Sequence, residues 1–368
     1  MEQADILIIG AGAIGCATAR QAAYDFPDKR IVVLEKNFTV GLEASGRNSG
    51  VIHSGFHHPA GSLKEKLANQ GGKMAKEYAQ THNIPLLKCG MLVVFPRFNS
   101  LFKEIPSNIG IFKNLYLNSL NQKIKFSVLS KKGVKKIEPN VEALGGIFMP
   151  EIAVIDFECF VKALYREASD LGVEFCFNVA VEKIEVKDDV FLVNDRFRTY
   201  TIFNCAGIYS DEISLMCGIN NGRQYPVRGE YYRLANSKSN IVSRLVCPAV
   251  PPGSSSKGIL FSPRTDGSLF VGPSFKLLTD KSDYENNKTP AEVFIDSVRS
   301  FMPDLNLDDL TWGYSGIRAK VGLEKHSDFI IKKVRTNPDL INNIGIDSPG
   351  LSSSLAIAQM NCRLLKNP

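Results

Sequence analysis

The chain has 368 residues, of which 44% are hydrophobic and 22% are charged. These proportions are typical of a globular protein of two or three domains and exclude a disordered, collagen-like or coiled-coil chain. Lys and Arg number 44 against 38 for Asp and Glu, and no long block of one sign carries this net charge of +6. So mild an excess does not indicate a nucleic-acid partner, and it suits a small anionic substrate or cofactor.

No apolar run reaches the ~18–20 residues that a membrane span needs. The first apolar stretch, residues 6–9, is too short for a signal sequence and follows acidic residues. We therefore expect a cytoplasmic protein, with peripheral contact with the inner face of a membrane as an open alternative. The eight cysteines form no C-x-x-C pair, so we expect reduced, mostly buried thiols and no metal site.

The opening of the chain reads as a strand, a glycine turn, a helix and a second strand. Residues 5–9 are short, apolar and partly β-branched, which predicts a buried strand. The G-x-G-x-x-G of residues 10–15 follows, then a helix rich in small residues over 16–24 and a second strand, Ile31–Leu34, which ends at Glu35. This order predicts a dinucleotide-binding unit rather than an ordinary glycine turn.

Each part of this unit has a role in binding a dinucleotide. Gly10 permits a tight turn, Gly12 lets the backbone approach a pyrophosphate, and Gly15 lets the helix lie close to the sheet. The helix N-terminus presents free N–H groups to the pyrophosphate. Glu35 is placed to accept hydrogen bonds from the ribose hydroxyls, and an acid at this position argues against NADP.

A second polar loop rich in small residues follows the acid. Residues 41–50 read GLEASGRNSG and place Ser45, Arg47, Asn48 and Ser49 where a cofactor longer than NAD would continue. An NAD-dependent enzyme has no evident need for such a loop. Together with the VIHSG that follows at 51–55, the pattern resembles the D-amino-acid oxidase superfamily of FAD enzymes.

The resemblance extends along the chain from residue 4 to residue 360. RNSGVIHSGFHHPAGSLKEKL (47–67), RGEYYRL (228–234) and FSPRTDGSLFVGP (261–273) resemble both the L-2-hydroxyglutarate dehydrogenases and the bacterial glycerol-3-phosphate oxidases. GYSGIRAK (313–320) is similar to the hydroxyglutarate enzymes in particular. GIDSPGLSSSLAIA (345–358) resembles the C-terminal flavin-edge motif that the two families share.

The resemblance implies an α/β fold: a discontinuous, Rossmann-like FAD-binding domain and an α+β substrate domain with an antiparallel sheet. We expect residues 1–82, 145–218 and 314–368 in the first and residues 83–144 and 219–313 in the second. The residue pattern also predicts three helices: one that a capping box at Ser62 opens and Gly71-Gly72 interrupts, one capped by Asp156, and one from Leu351. It predicts further strands at 89–96, 173–177, 179–186, 200–204, 328–331 and 340–344.

Oxidation of an alcohol needs a base for the hydroxyl proton, and His is the side chain most suited to that role near neutral pH. The chain has five histidines, and His53, His57 and His58 lie in one window after the cofactor loop. The resemblance places His53 facing the flavin ring, so we predict that it is the base. The alternatives are that it only positions the flavin, or that the three histidines bind a metal, which no further ligand motif supports.

An anionic substrate needs a cation, and the fork of Arg suits a carboxylate. Arg318 of SGIRAK matches the superfamily's substrate-anion arginine, and Arg264 is a candidate for a second carboxylate, with Lys320 assisting either. Lys257 of SSSKG matches a lysine of the glycerol-3-phosphate oxidases, where it would suit a phosphate; the alternative is a solvated loop lysine. The predicted catalytic set is therefore His53, Arg318, Arg264 and Lys257.

The resemblance places residues 345–351 against the pyrimidine edge of the flavin, where backbone N–H groups at a helix start would stabilise the reduced cofactor; the alternative is a simple Pro-Gly turn. It also places the Ala-Gly turn after Asn204 near the adenosine. We predict non-covalent FAD. The predicted cofactor-binding residues are Gly10, Gly12, Ala13, Ile14, Gly15, Glu35, Lys36, Ser45, Arg47, Asn48, Ser49, Val181, Ala206, Gly207, Ser348, Gly350 and Leu351.

The leading hypothesis is FAD-dependent oxidation of an L-2-hydroxy acid, similar to L-2-hydroxyglutarate, to the 2-oxo acid by hydride transfer to the flavin. The first alternative is glycerol-3-phosphate oxidation, which Lys257 suggests, and the second is amine oxidation. A flavin-binding module without catalysis is a hypothesis of another class, against which His53 and Arg318 argue. Oxygen, a quinone and a protein carrier all remain open as electron acceptor.

Overall fold

The computed structural model describes residues 1–95, 105–250, 258–322 and 327–367. Its helices are α1 (Ala13–Asp25), α2 (Leu63–Thr81), α3 (Ile105–Asn121), α4 (Lys131–Ile137), α5 (Phe157–Asp170), α6 (Ser210–Met216), α7 (Ala291–Val298) and α8 (Gly350–Lys366). Its strands are β1 (Glu2–Ile9), β2 (Ile31–Leu34), β3 (Val51–Ile52), β4 (Leu86–Leu87), β5 (Met91–Phe95), β6 (Ser127–Ser130), β7 (Gly145–Met149), β8 (Ala153–Ile155), β9 (Glu174–Cys176), β10 (Ile184–Lys187), β11 (Val190–Val193), β12 (Phe197–Asn204), β13 (Gln224–Leu234), β14 (Leu245–Pro248), β15 (Leu260–Pro263), β16 (Leu269–Gly272), β17 (Lys276–Leu277), β18 (Leu310–Val321), β19 (Ile330–Arg335) and β20 (Asp339–Ile344).

The first sheet has a parallel centre in the order β9-β2-β1-β12-β20. The hairpin β10-β11 and the strand β19 add antiparallel edges. The predicted strand–turn–helix–strand unit is therefore confirmed, and it lies at the middle of the sheet. All four residues of Ile31–Leu34 are buried, because layers cover both faces of a parallel sheet.

Helix α2 runs without a break from Leu63 to Thr81, so the predicted interruption at Gly71-Gly72 is wrong. The two glycines serve close packing instead. A methyl group on Gly71 would overlap the carbonyl oxygen of Ser352 in α8, and one on Gly72 would lie 2.7 Å from the carbonyl oxygen of His53. Ser62 caps the helix by accepting the Glu65 N–H at 3.2 Å.

The second sheet has nine strands in the order β17-β13-β16-β15-β14-β5-β7-β6, with β18 also paired to β13. Its pairs are antiparallel except β14 with β5, so an antiparallel sheet is confirmed in its main part. β7 and the whole of β18 belong to this sheet, whereas the predicted limits placed 145–149 and 314–321 in the cofactor domain. Strand β18 pairs with β13 from Leu310 to Val321, on both sides of the predicted limit between residues 313 and 314.

A third, small sheet, β3-β8-β4, is antiparallel and carries the chain from the cofactor loop toward the substrate domain. The predicted strand over 179–186 forms only from Ile184, and residues 179–181 line a cavity instead. All eight cysteines lie in the described ranges as reduced thiols, and five of them are buried. Within the described ranges, no helix combines the length and the apolar character that crossing a bilayer requires.

Candidate active site

Two adjoining cavities lie where the two main sheets meet. The first, about 310 Å³, is lined by the glycine turn, Glu35 and residues 179–181. The second, about 950 Å³, is lined by His53, Arg318 and the start of α8. A long ligand can extend from one into the other, because both cavities share these wall residues: Ala13, Ile14, Ala44, Ser45, Ile317 and Ile346.

The glycine turn leaves no room for side chains on the protein side. Gly10 has a φ of +99°, and a Cβ there would lie 2.6 Å from the carbonyl oxygen of Cys205. A Cβ on Gly15 would overlap the carbonyl oxygen of Gly10, and one on Gly12 would lie 2.9 Å from Ser45 Oγ. The N-terminus of α1, at Ala13 and Ile14, forms part of the wall that the two cavities share.

Glu35 ends β2 and lines the first cavity with little exposure. One carboxylate oxygen accepts the Ala11 N–H at 2.7 Å, and the other accepts the backbone and side-chain N–H groups of Asn37 at 2.9 and 2.7 Å. These contacts fix the carboxylate against the turn. The two Asn37 contacts occupy both lone pairs of one oxygen, whereas the oxygen that accepts the Ala11 N–H keeps a second lone pair, which can accept a ribose hydroxyl.

The polar loop after Glu35 is held by its own side chains. Ser45 Oγ accepts the Ala13 N–H at 2.9 Å, so the loop is tied to the first turn of α1. Asn48 donates to the carbonyl oxygen of Ser45 at 2.7 Å and accepts the Gly50 N–H at 2.7 Å. The Arg47 guanidinium lies 4.6 Å from the centre of the Tyr284 ring.

Of the predicted cofactor-binding residues, all but Gly15 line one of the two cavities, and Gly15 packs behind the turn. Lys36 lines the first cavity, pairs with Glu43 at 2.5 Å and lies 3.9 Å from the centre of the Tyr209 ring. The first cavity also holds Val181, Ala206 and Gly207, and the second holds Arg47, Asn48, Ser49, Ser348, Gly350 and Leu351.

His53 follows β3 and lines the second cavity, as do His57 and His58. Its backbone N–H donates to Ser352 Oγ at 2.9 Å, and the Ser352 hydroxyl donates to the carbonyl oxygen of Val51 at 3.1 Å. The start of α8 thus holds the backbone of the predicted base.

Arg318 lies on β18 and lines the second cavity with His53. Both terminal nitrogens of its guanidinium donate to the carbonyl oxygen of Ser274 at 3.3 Å. The guanidinium lies against Gly229, where a Cβ would come within 2.5 Å of it. One carbonyl leaves most of the five N–H donors of this group available for an anion.

The structure does not bring Arg264 into this group. Arg264 is buried and is absent from the described cavity lining. Its guanidinium donates to the carbonyl oxygen of Asn48 at 2.9 Å and to the Tyr314 hydroxyl, so it braces the cofactor loop against β18 instead of reaching into the cavity. Lys257 lies outside the described residues.

Sequence reasoning did not identify Tyr231, Lys64 and Asp347, which also line the second cavity. Tyr231 is buried and stacks on Tyr314 with ring centres 4.6 Å apart. Burial raises the pKa of the Tyr231 hydroxyl, although Arg318 and Arg264 oppose this effect. The motif RGEYYRL (228–234) contains two tyrosines, and the fold of β13 is what places Tyr231 at the cavity.

The chemistry of this lining fits an adenine–flavin dinucleotide. A carboxylate lies at one end, the N-terminus of α1 lies at the shared wall, and cations and a histidine lie at the other end. That is the order in which FAD presents its ribose, its pyrophosphate and its flavin ring. Gly207 lines the first cavity, and a Cβ on this residue would meet nothing within 4 Å, so the cavity has open space next to Gly207.

Comparisons with known proteins agree with this fit. The family model described as "FAD dependent oxidoreductase" matches residues 5–364. A glycerol 3-phosphate dehydrogenase of Caloramator mitchellensis is 30% identical over 99% of this chain and 74% of its own length. A mitochondrial L-2-hydroxyglutarate dehydrogenase of Nematostella vectensis is 29% identical over 98% of this chain and 90% of its own.

A solved structure gives the cofactor. The dithionite-reduced L-alpha-glycerophosphate oxidase of Mycoplasma pneumoniae with FAD bound is 27% identical, covers 100% of this chain and 96% of its own, and superposes with a TM-score of 0.88. The expected fold class and the expected cofactor, FAD, are both confirmed.

Proposed function

The chain belongs to the FAD dependent oxidoreductase family, and from that premise we propose that it oxidises the hydroxyl-bearing carbon of a small anionic substrate. One observation carries the proposal: His53 and Arg318 line the same cavity, and that cavity adjoins the one at the glycine turn. A base and an anion-binding cation are the two groups that this reaction needs besides the cofactor.

When bound, FAD is the two-electron oxidant that accepts a hydride from the substrate carbon. The other steps belong to this chain's own residues. Arg318, held by the carbonyl oxygen of Ser274, binds the anionic group and orients the substrate. His53 takes the hydroxyl proton as the alcohol becomes a carbonyl, and its backbone is fixed by Ser352.

For the substrate itself we rank glycerol 3-phosphate ahead of the L-2-hydroxy acid that the sequence favoured. The Arg318 fork suits a phosphate and a carboxylate alike, so the ranking rests on the relatives. The Caloramator dehydrogenase spans 99% of this chain and the Mycoplasma oxidase spans all of it. L-2-hydroxyglutarate remains the second candidate because relatives with that name match at 26–30% identity. The electron acceptor is proposed to be oxygen, a quinone or a protein carrier.

Anaerobic bleaching of the bound flavin tests the proposal. The holoenzyme is mixed without oxygen with glycerol 3-phosphate, L-2-hydroxyglutarate, L-lactate or glycine, and the loss of flavin absorbance is followed. Bleaching by glycerol 3-phosphate supports both the class and the ranking. Bleaching by L-2-hydroxyglutarate alone keeps the class and overturns the ranking, and bleaching by glycine alone overturns the proposal.

A further inference from the structure

Three charged side chains that no part of the proposed reaction uses meet at the wall of the larger cavity. Lys64 lies in the first turn of α2, Asp347 lies just before α8, and Lys320 lies near the end of β18; all three line the cavity. Their side chains are 8%, 7% and 14% exposed, respectively. Charges so deeply buried are costly unless they are paired, so their arrangement needs a reason.

The pairing within this cluster is unequal. Lys64 Nζ lies 2.6 Å from one oxygen of Asp347, whereas Lys320 Nζ lies 3.8 Å from the other. The Lys64 ammonium is also 5.2 Å from the centre of the Phe329 ring. Lys64 therefore neutralises Asp347, and Lys320 leaves the cluster with a net charge of +1.

Lys320 is directed toward the cavity by the strand that carries it. It lies two residues after Arg318 on β18, and alternate residues of a strand share a face. Burial lowers the pKa of the Lys320 ammonium, Asp347 opposes that effect, and Lys64 and Arg318 add to it. The protein thus holds this ammonium in the cavity wall at an electrostatic cost.

We propose that the net positive charge of the Lys64–Asp347–Lys320 cluster stabilises the reduced, anionic form of the bound FAD and so sets its reduction potential. Lys320 supplies the charge, and Asp347 and Lys64 are positioning residues. A fixed charge near the flavin ring is one of the means by which a protein tunes this cofactor. The proposal rests on FAD as the cofactor and is independent of the choice of substrate.

The first test is the reduction potential of the holoenzyme, measured against reference dyes. In Lys320→Met the equilibrium constant for flavin reduction should fall at least tenfold, which is about 30 mV for a two-electron couple. Lys66→Met is the matched control, because Lys66 is an exposed residue of the same helix as Lys64. That variant should keep the wild-type potential.

The sign of the change separates an electrostatic role from a structural one. Asp347→Asn leaves two cations and should raise the potential. The double variant Lys64→Met with Asp347→Asn leaves only Lys320, restores a net charge of +1 and should return close to the wild-type potential. A purely structural cluster would shift all of these variants in one direction or in none.

Two results would overturn the proposal. One is a Lys320→Met protein that retains FAD, as judged by its absorbance, and keeps a potential within twofold of the wild-type equilibrium constant. The other is a rise in KM for the anionic substrate without any change in potential, which would make Lys320 part of the substrate site instead.

Discussion

The cavity at the glycine turn and the cavity at His53 differ in how their walls are assembled. At the glycine turn, the first is held by contacts between backbone N–H groups and side chains nearby in the sequence: Glu35 accepts the Ala11 N–H and Ser45 accepts the Ala13 N–H. The second needs β3, β13, β18 and α8, which are separated along the chain, and charged side chains line it. From this difference we expect backbone geometry to govern cofactor binding and side-chain charge to govern the choice of substrate.

The largest effect is expected where a side chain would enter the backbone-built turn. Gly15→Ala would place a methyl group over the carbonyl oxygen of Gly10, so we expect FAD affinity to fall at least about 100-fold, a loss of roughly 3 kcal/mol. Titration of the apoprotein with FAD measures it. Gly110→Ala is the control, since its Cβ would meet nothing within 4 Å. A Gly15→Ala protein purified with full FAD would contradict the expectation that backbone geometry at the turn governs cofactor binding.

A change of the proposed base should leave the cofactor in place and slow the chemistry. His53→Gln is expected to lower kcat by roughly 10²–10⁴, the usual contribution of a positioned general base. The measurement is the anaerobic rate of flavin bleaching at saturating substrate, alongside the FAD content. An unchanged bleaching rate would leave His53 only a role in positioning the flavin.

Arg318→Met should weaken substrate binding while the FAD content stays constant. Removing one partner of a buried charge interaction costs about 2–5 kcal/mol, so kcat/KM should fall roughly 30-fold or more. Arg299→Met is the control, because that side chain is 61% exposed and pairs with Asp296, three residues before it. Equal kcat/KM for the two variants would remove Arg318 from the substrate site.

The smallest effect is expected far from both cavities. Glu167 accepts from the hydroxyls of Tyr24 and Tyr78 at 2.8 and 2.7 Å and lies 2.6 Å from Arg20 Nε. Burial alone would raise the pKa of Glu167, but these partners outweigh it and lower the pKa from 4.5 to about 2. The stabilisation is therefore complete above about pH 4.5 and is lost as the pH falls toward 2.

Accordingly, Glu167→Gln should lower the free energy of unfolding by about 1–2 kcal/mol at pH 7, discounted for partial exposure, and by less at pH 3. Urea unfolding at both pH values measures it. Glu158→Gln, an exposed carboxylate on the same helix, should change stability by less than about 0.5 kcal/mol. The same loss at both pH values would contradict the assigned pKa.

Sequence reasoning succeeded where the signal is local. The unit from β1 to Glu35 and the cap of α5 by Asp156, which accepts the Cys159 N–H at 2.9 Å, follow from neighbouring residues alone. It failed at Gly71-Gly72, because glycine in a helix signals a break unless the close approach of a second element is known. Contacts between distant elements decide such positions.

The same dependence on contacts between distant elements explains which residues of the site the sequence did not reveal. Family motifs predicted His53 and Arg318, which line the larger cavity. Lys64 lies in an ordinary helix start and carries no signal of its own until α8 brings Asp347 to it. Arg264 lies in an equally strong motif, yet only the fold shows that its guanidinium turns away toward Asn48.

The two adjacent glycines of α2 also act as a spacer of fixed length. Gly71 seats the backbone of Ser352 and Gly72 seats the backbone of His53, and consecutive residues of a helix are separated by a constant rise of about 1.5 Å. Adjacent residues of one helix therefore hold the start of α8 and the backbone of His53 at a fixed separation. We therefore expect substitutions of the charged side chains in the larger cavity to leave this spacing intact.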